Sequence, residues 1–241
     1  MKFILAVAAC ALALSPAGAQ IMRSLPEETE ALRSLDRKDI RPAELLPPPA
    51  QPGTAAHTAE VAEIVAIQAA ASPERKAQAI WDDRHEDPSL FAATLGPGFD
   101  LARLPATARL LGIIQNDADI AAGLSKVHFA RKRPWFYDER IEVCEEGGRS
   151  RTPERSYPSG HSTVGYALAL TLAHLRPDLA PRIMARGQDF AFSRMVCGVH
   201  YRSDTTAALA IAMMATQSIL HDPRLARLIA AAKAEMGKLP A

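Results

Sequence analysis

The chain has 241 residues, enough for one domain with a sizeable core, and 48% of them are hydrophobic. Lys and Arg number 28 against 27 Asp and Glu, so a net charge of +1 gives no electrostatic reason to expect nucleic acid or an anionic membrane as partner. Anion recognition, if present, must be local, and the Ala- and Leu-rich composition favours helix over sheet.

The N-terminus reads as a targeting segment. Lys2 precedes an apolar run from Phe3 to Leu14, and Ala17-Gly18-Ala19 supplies a small-x-small end, the anatomy of a secretory signal peptide cleaved near Ala19. The run is too short for a membrane helix. Val7-Ala8-Ala9-Cys10 has a faint likeness to a lipoprotein processing site, but cutting there would leave a very short apolar core. Residues 1–19 are therefore assigned to the signal peptide, and the expected location is periplasmic or secreted. Losing Cys10 leaves Cys144 and Cys197. In an oxidising compartment such a pair invites a disulfide, while two unpaired small core residues would fit the sequence as well.

Residues 20–55 mix charges with Pro26, Pro42, Pro47, Pro48, Pro49 and Pro52, which rules out a long regular helix and predicts an extended arm on, or trailing from, the main domain. Helical periodicity begins near residue 56. AEVAEIVAIQAAA is followed by PERKAQAIW, with Pro73 placed for a first turn. After Leu95-Gly96-Pro97-Gly98, the stretch LPATARLLGIIQNDADIAAGLSKVHFARKRP predicts one or two helices, and a polar loop runs from Tyr137 to Tyr157. STVGYALALTLAHL, APRIMARGQDFAFSRMVCGV, SDTTAALAIAMMATQSIL and PRLARLIAAAKAEM predict the remaining helices. TTAALAIAMMATQSIL, interrupted by Gln217 and Ser218, falls short of the roughly 20 residues a bilayer needs and is predicted as a central core helix. With no alternating run, the expectation is an all-α, single-domain helical bundle over 56–241 behind a Pro-rich arm.

Three short segments carry candidate chemistry. In KVHFARKRP, Lys126 and Arg133 lie seven apart, close to two helical turns, so on one helix they would share a face and could clamp an anion. Alone, such a stripe is more often a solvated surface. In YPSGHSTVGYALAL, Pro158-Ser159-Gly160-His161 opens an apolar helix whose first N–H groups and dipole favour an anion. Alone, this is an ordinary cap with His161 exposed. In SRMVCGVHYRSD, His200 and Asp204 have i, i+4 spacing, so Asp204 can orient one ring nitrogen and leave the other as a nucleophile, with Arg194 upstream as a further cation. Alone, a His–Asp pair is usually structural. Together they form a kit for phosphoryl transfer without a metal: cations hold the equatorial oxygens, His200 attacks, and His161 protonates the leaving oxygen.

The spacing Lys126-x6-Arg133-Pro134, then Pro158-Ser159-Gly160-His161, then Ser193-Arg194-x5-His200-x3-Asp204 resembles the three-part signature of the type 2 phosphatidic acid phosphatase and vanadium haloperoxidase superfamily. Among its branches the chain most resembles the secreted bacterial class A non-specific acid phosphatases, through Leu46-Pro47-Pro48-Pro49, Tyr157 and SRMVCGVHYRSD, with likeness from about Leu45 to near Met236. The resemblance implies an all-helical fold, a covalent phosphohistidine on His200 supported by Asp204, and His161 as general acid. Phosphate would be held by Lys126, Arg133, Ser159, the Gly160 backbone and Arg194. It also implies phosphomonoester substrates, no cofactor, and a homodimer or larger assembly. Trp135, where the family pattern has Phe, is expected at the pocket mouth, and residues 89–99 on the rim. A mildly acidic pH optimum is expected, with His161 protonated and His200 a free base.

Other readings of the same residues are a vanadium haloperoxidase, a lipid-phosphate phosphatase, a phosphate-binding module without turnover, and a cysteine phosphatase. The last is disfavoured because the segments opening at Cys144 and Cys197 each place four residues before their Arg where a thiolate loop needs five. No His-Glu-x-x-His or zinc-spaced Cys/His cluster is present, so no metal is expected, and Asp82-Asp83-Arg84-His85-Glu86-Asp87 reads as a solvated loop.

Overall fold

Several of the longer helices start at a side-chain cap or at a proline in their first turn. The computed structural model describes residues 31–144, 148–150 and 152–240, so the signal-peptide assignment lies outside the described residues. A single turn, α1 (Pro42–Leu45), is followed by α2 (Ala55–Ala70), whose first turn is capped by the Thr54 hydroxyl accepting from His57 N. Helix α3 (Pro73–Asp83) is capped by Ser72 with Pro73 at its first position. A short α4 (Ala92–Leu95) leads to α5 (Pro105–Phe129), one unbroken helix. Then come α6 (Gly160–Leu175), α7 (Ala180–Val196), α8 (Arg202–Leu220) and α9 (Ala226–Met236). Among the described residues there is no strand, and the fold is all-α.

Helix α6 is the centre of the bundle, packed against α5, α7 and α8, while α9 closes over α5 and α3 lies on α7. Its faces are buried almost all round, including Val164, Leu168 and Leu172, which is the pattern of a core helix. The segment expected as a central core helix, now α8, packs against α6 and α5 and buries Ala208, Ile211, Ala212 and Ala215, while Met213 is exposed. Among the described residues no helix is long and apolar enough to cross a membrane. Small residues let α6 and α7 approach closely, since a Cβ on Gly165 would collide with the Phe190 ring and one on Gly187 would sit 2.9 Å from Ala169 Cβ.

The arm lies on the bundle. The amides of Arg33, Ser34 and Leu35 each donate to the fully buried Asp117 carboxylate on α5 at 2.8 Å. Further along, the Tyr157 hydroxyl donates to the Pro47 carbonyl at 2.8 Å, which ties the triple-proline segment to the residue preceding the Pro158-Ser159-Gly160-His161 turn. Within 89–99, Leu90, Phe91 and Leu95 join the main core while Ser89, Ala92, Ala93 and Pro97 are exposed, and Trp135 is buried with Ile64, Ile141, Met195 and Tyr201. Large apolar side chains at these positions gain more from burial than from exposure at a mouth.

Candidate active site

Helix α5 delivers Lys126 in its last turn and then stops at Ala130, whose φ of 46° is left-handed. The chain therefore turns before Arg133, and the expectation that Lys126 and Arg133 share a helix face is wrong. They nevertheless converge, because Arg133 lies close enough to Lys126 to depress its pKa. Lys126 Nζ donates to the Arg155 carbonyl at 2.8 Å, and Arg133 Nη1 donates to the Val199 carbonyl at 2.9 Å. Both side chains are buried.

The N-terminus of α6 forms a second wall. Ser159 is its cap, with the hydroxyl accepting from Ser162 N at 3.3 Å, and a Cβ on Gly160 would lie 3.4 Å from Lys126 Cε and 3.9 Å from its Nζ. The Lys126 ammonium thus crosses directly over the first turn of α6, where free N–H groups already favour an anion. His161 follows on the same turn and keeps 26% of its side chain exposed.

The third wall is the junction between α7 and α8. Arg194, in the last turn of α7, is fully buried and its Nη1 donates to Asp83 Oδ1 at 2.6 Å. Gly198 then takes φ 68°, a left-handed turn into Val199 and His200. His200 stands just ahead of α8, not within it, so its pairing with Asp204 is a cap contact instead of a helical i, i+4 contact. His200 Nδ1 lies 3.1 Å from Asp204 Oδ2, which also accepts from Tyr201 N at 3.0 Å. The opposite ring nitrogen, Nε2, faces Arg133 Nη1 at 3.4 Å. Asp204 further accepts from Ser156 Oγ at 2.6 Å and from Arg131 Nη1 at 2.6 Å.

Burial chiefly, with Arg133, Lys126 and Arg194 close by, holds the His200 imidazole well below its ordinary pKa, so it is a free base. Burial and then Arg194 hold His161 well below its usual value too. In the ligand-free cradle both histidines thus favour the neutral form, and the expected acidic optimum does not follow from His161 alone. Lys126 is pulled down to about 7, first by burial and next by Arg133. This crowding of cations in a low-dielectric cleft would be relieved by a dianion.

Sequence reasoning missed several residues. Arg131 bridges Asp204 and Glu60 and lies over the Tyr201 ring with its guanidinium carbon 3.8 Å from the centroid. In the run Arg131-Lys132-Arg133 only the alternation of buried and outward side chains, invisible in composition, separates it from Lys132, which sits over Phe136. The run from Asp82 to Asp87 is not a solvated loop. Asp82 is fully buried and accepts from Arg186 and Ser193, Asp83 binds Arg194, and Glu86 Oε2 lies 3.1 Å from His161 Nδ1. The partly buried Arg186 and the fully buried Arg194 on α7 draw these carboxylates inward. Cys144 and Cys197 are joined as a disulfide with Cα atoms 5.0 Å apart, which leaves neither sulfur as a thiolate nucleophile. Among the described residues no group of three or more His, Cys, Asp or Glu side chains is arranged to hold a metal ion.

The three walls together form a cationic cradle between helix ends, with the carboxylate-oriented His200 on one side and His161 on another. The sequence profile of the PAP2 superfamily matches residues 106–227, and the chain belongs to that family. It is 37% identical over 149 residues to a protein named acid phosphatase from Zymomonas mobilis, covering 61% of this chain and 56% of that one. A non-specific acid phosphatase from Providencia stuartii is 33% identical over 132 residues, 54% of this chain and 52% of its own. One from Salmonella typhimurium is 30% identical over 119 residues, 49% and 48% respectively. The chain spans about half the length of these curated relatives.

Proposed function

We propose that the chain is a metal-independent acid phosphatase that hydrolyses phosphomonoesters through a phosphohistidine on His200. The observation that carries this reading is the buried pairing of His200 Nδ1 with Asp204, which turns Nε2, unprotonated, toward the cationic groups where a phosphoryl oxygen would bind. In the reaction Lys126, Arg133, Arg194 and the first turn of α6 hold the equatorial oxygens and stabilise their charge in the transition state. Nε2 of His200 attacks phosphorus, the bond to the ester oxygen breaks with its electron pair, and His161 delivers a proton to that oxygen. Water then attacks the phosphohistidine with His161 as base, releasing phosphate. Asp204 keeps the attacking tautomer and offsets the charge His200 acquires.

The names of the curated relatives support phosphomonoesters as the substrate class. The signal-like N-terminus and the Cys144–Cys197 bond support a periplasmic or secreted site of action. A homodimer or larger assembly is carried over from the family resemblance. The test is p-nitrophenyl phosphate hydrolysis near pH 6 in excess EDTA, with His200→Ala beside the unaltered protein. The proposal expects activity that survives chelation and disappears with His200. Equal activity in both proteins would move the nucleophile elsewhere, and halide oxidation that depends on added vanadate would favour the haloperoxidase reading.

A further inference from the structure

The general acid stands in surroundings that oppose its protonation. His161 shares the cleft with Arg194, Lys126 and His200, all of which disfavour an imidazolium. Its contacts suggest another source for the proton. Nε2 lies 3.3 Å from the Asp83 carbonyl oxygen, which can only accept, so Nε2 carries the hydrogen. In a neutral ring Nδ1 is then an acceptor, and it lies 3.1 Å from Glu86 Oε2. A hydrogen in that contact must come from the carboxyl group.

We propose that Glu86 is a positioning residue for the general acid, a neutral carboxylic acid that holds Nδ1 of His161 and passes its proton there as the Nε2 proton leaves for the ester oxygen. The inference rests on the phosphatase reading above. Glu86 Oε1 is buried and meets no hydrogen-bond partner among the described residues, a poor setting for an ionised carboxylate. Among the charged groups around it, Asp119 on α5 and Asp83 at the end of α3 favour the neutral acid, while Arg194 on α7 and Lys126 on α5 oppose it. Burial is the largest influence and, with the two aspartates, lifts Glu86 to about 8.

The step balances without an external acid. The phosphorus–oxygen bond breaks with its pair on the ester oxygen, which replaces the Asp83 carbonyl, 3.3 Å away in the ligand-free protein, as acceptor of the His161 Nε2 hydrogen and takes it. The Oε2–H bond of Glu86 breaks and an Nδ1–H bond forms, leaving a neutral imidazole and a carboxylate. When water attacks the phosphohistidine, its proton goes to Nε2 and the Nδ1 proton returns to Glu86. His161 never carries a full charge beside Arg194 and Lys126.

Glu86→Gln keeps the shape and can still hydrogen-bond Nδ1, but it cannot give up a proton. The experiment compares kcat/KM for p-nitrophenyl phosphate, whose leaving group departs unaided, with that for glycerol 2-phosphate, whose alkoxide needs a proton. The expected result is a loss concentrated on the alkyl ester, so that the aryl-to-alkyl ratio rises by about tenfold or more, within the range general acids contribute. An unchanged ratio overturns the relay alone, whereas unaltered protein inert towards both esters overturns the phosphatase reading and the relay with it. Nitrogen chemical shifts of the His161 ring in the ligand-free protein near pH 7 give a readout that needs no turnover. An Nε2–H, Nδ1-acceptor tautomer is expected, and an imidazolium overturns the proposal.

Discussion

At Asp204 four donors, His200, Tyr201 N, Ser156 and Arg131, converge on one fully buried carboxylate. Replacing it with Asn offers an amide that can donate to Nδ1 and so move the ring hydrogen to Nε2, removing the nucleophile while keeping the shape. Asp204→Asn is expected to lower kcat by about 10⁴-fold, the scale seen when a triad carboxylate is neutralised, with an unchanged helical circular dichroism spectrum. Arg131→Met acts differently, because it strands Asp204 and Glu60 together without their shared cation. It should cost about 3–5 kcal/mol in denaturant unfolding, the usual penalty for breaking a buried ion pair. The sequence made His161, His200, Asp204 and the cations legible because their spacing falls in motifs. Arg131 and Glu86 were hidden, since their roles depend on partners far along the chain, at Glu60 and His161.

At the scale of elements, the α7–α8 junction determines where His200 stands. Gly198 has φ 68°, and a Cβ there would collide with the Glu142 carbonyl and Ile141. Gly198→Ala is expected to destabilise by more than about 1 kcal/mol, because both the left-handed backbone and the space are lost, and to reduce kcat in steady-state assays by displacing His200. The neighbouring disulfide closes a separation of 53 residues, for which chain entropy sets an upper contribution of about 4 kcal/mol. Thermal unfolding with and without reductant should show a lower midpoint after reduction, with Cys144→Ser matching the reduced protein. Helix existence was readable from apolar periodicity, from Pro73 placed for a first turn and from the cap at Ser159. Helix ends at the site were not, because the left-handed stop at Ala130 uses an alanine, which carries no sequence signal for that conformation.

For the whole molecule, the cradle couples stability to pH. His161 and His200 are held below their ordinary values, so their contribution is present above about 6.5 and lost as pH falls further. Lys126, lowered to about 7, acts in the same direction between its usual value and neutrality. Glu86, raised to about 8, acts oppositely, favouring the fold as pH drops below that value. Between pH 7 and pH 5, below the window of Lys126, the two histidines act against Glu86 alone, and the ligand-free melting temperature is expected to fall. Inorganic phosphate should restore more of it at pH 5, because an anion makes protonation of the cradle less costly. Scanning fluorimetry at both pH values, with and without phosphate, checks this. The all-α architecture was legible from the absence of alternating runs. Which of α6 and α8 is the more enclosed was not, because both are apolar and only the arrangement of neighbours decides it.

The central claim is that phosphoryl transfer passes through His200. The most direct measurement is to mix His161→Ala, in which release from the enzyme should be slowed, with p-nitrophenyl phosphate in EDTA, quench in alkali, digest, and locate the phosphoryl group by mass spectrometry. It is expected on the peptide carrying His200, and absent when His200 is also replaced. Turnover with His200 unmodified, or a phosphoryl group on any other residue, would contradict it.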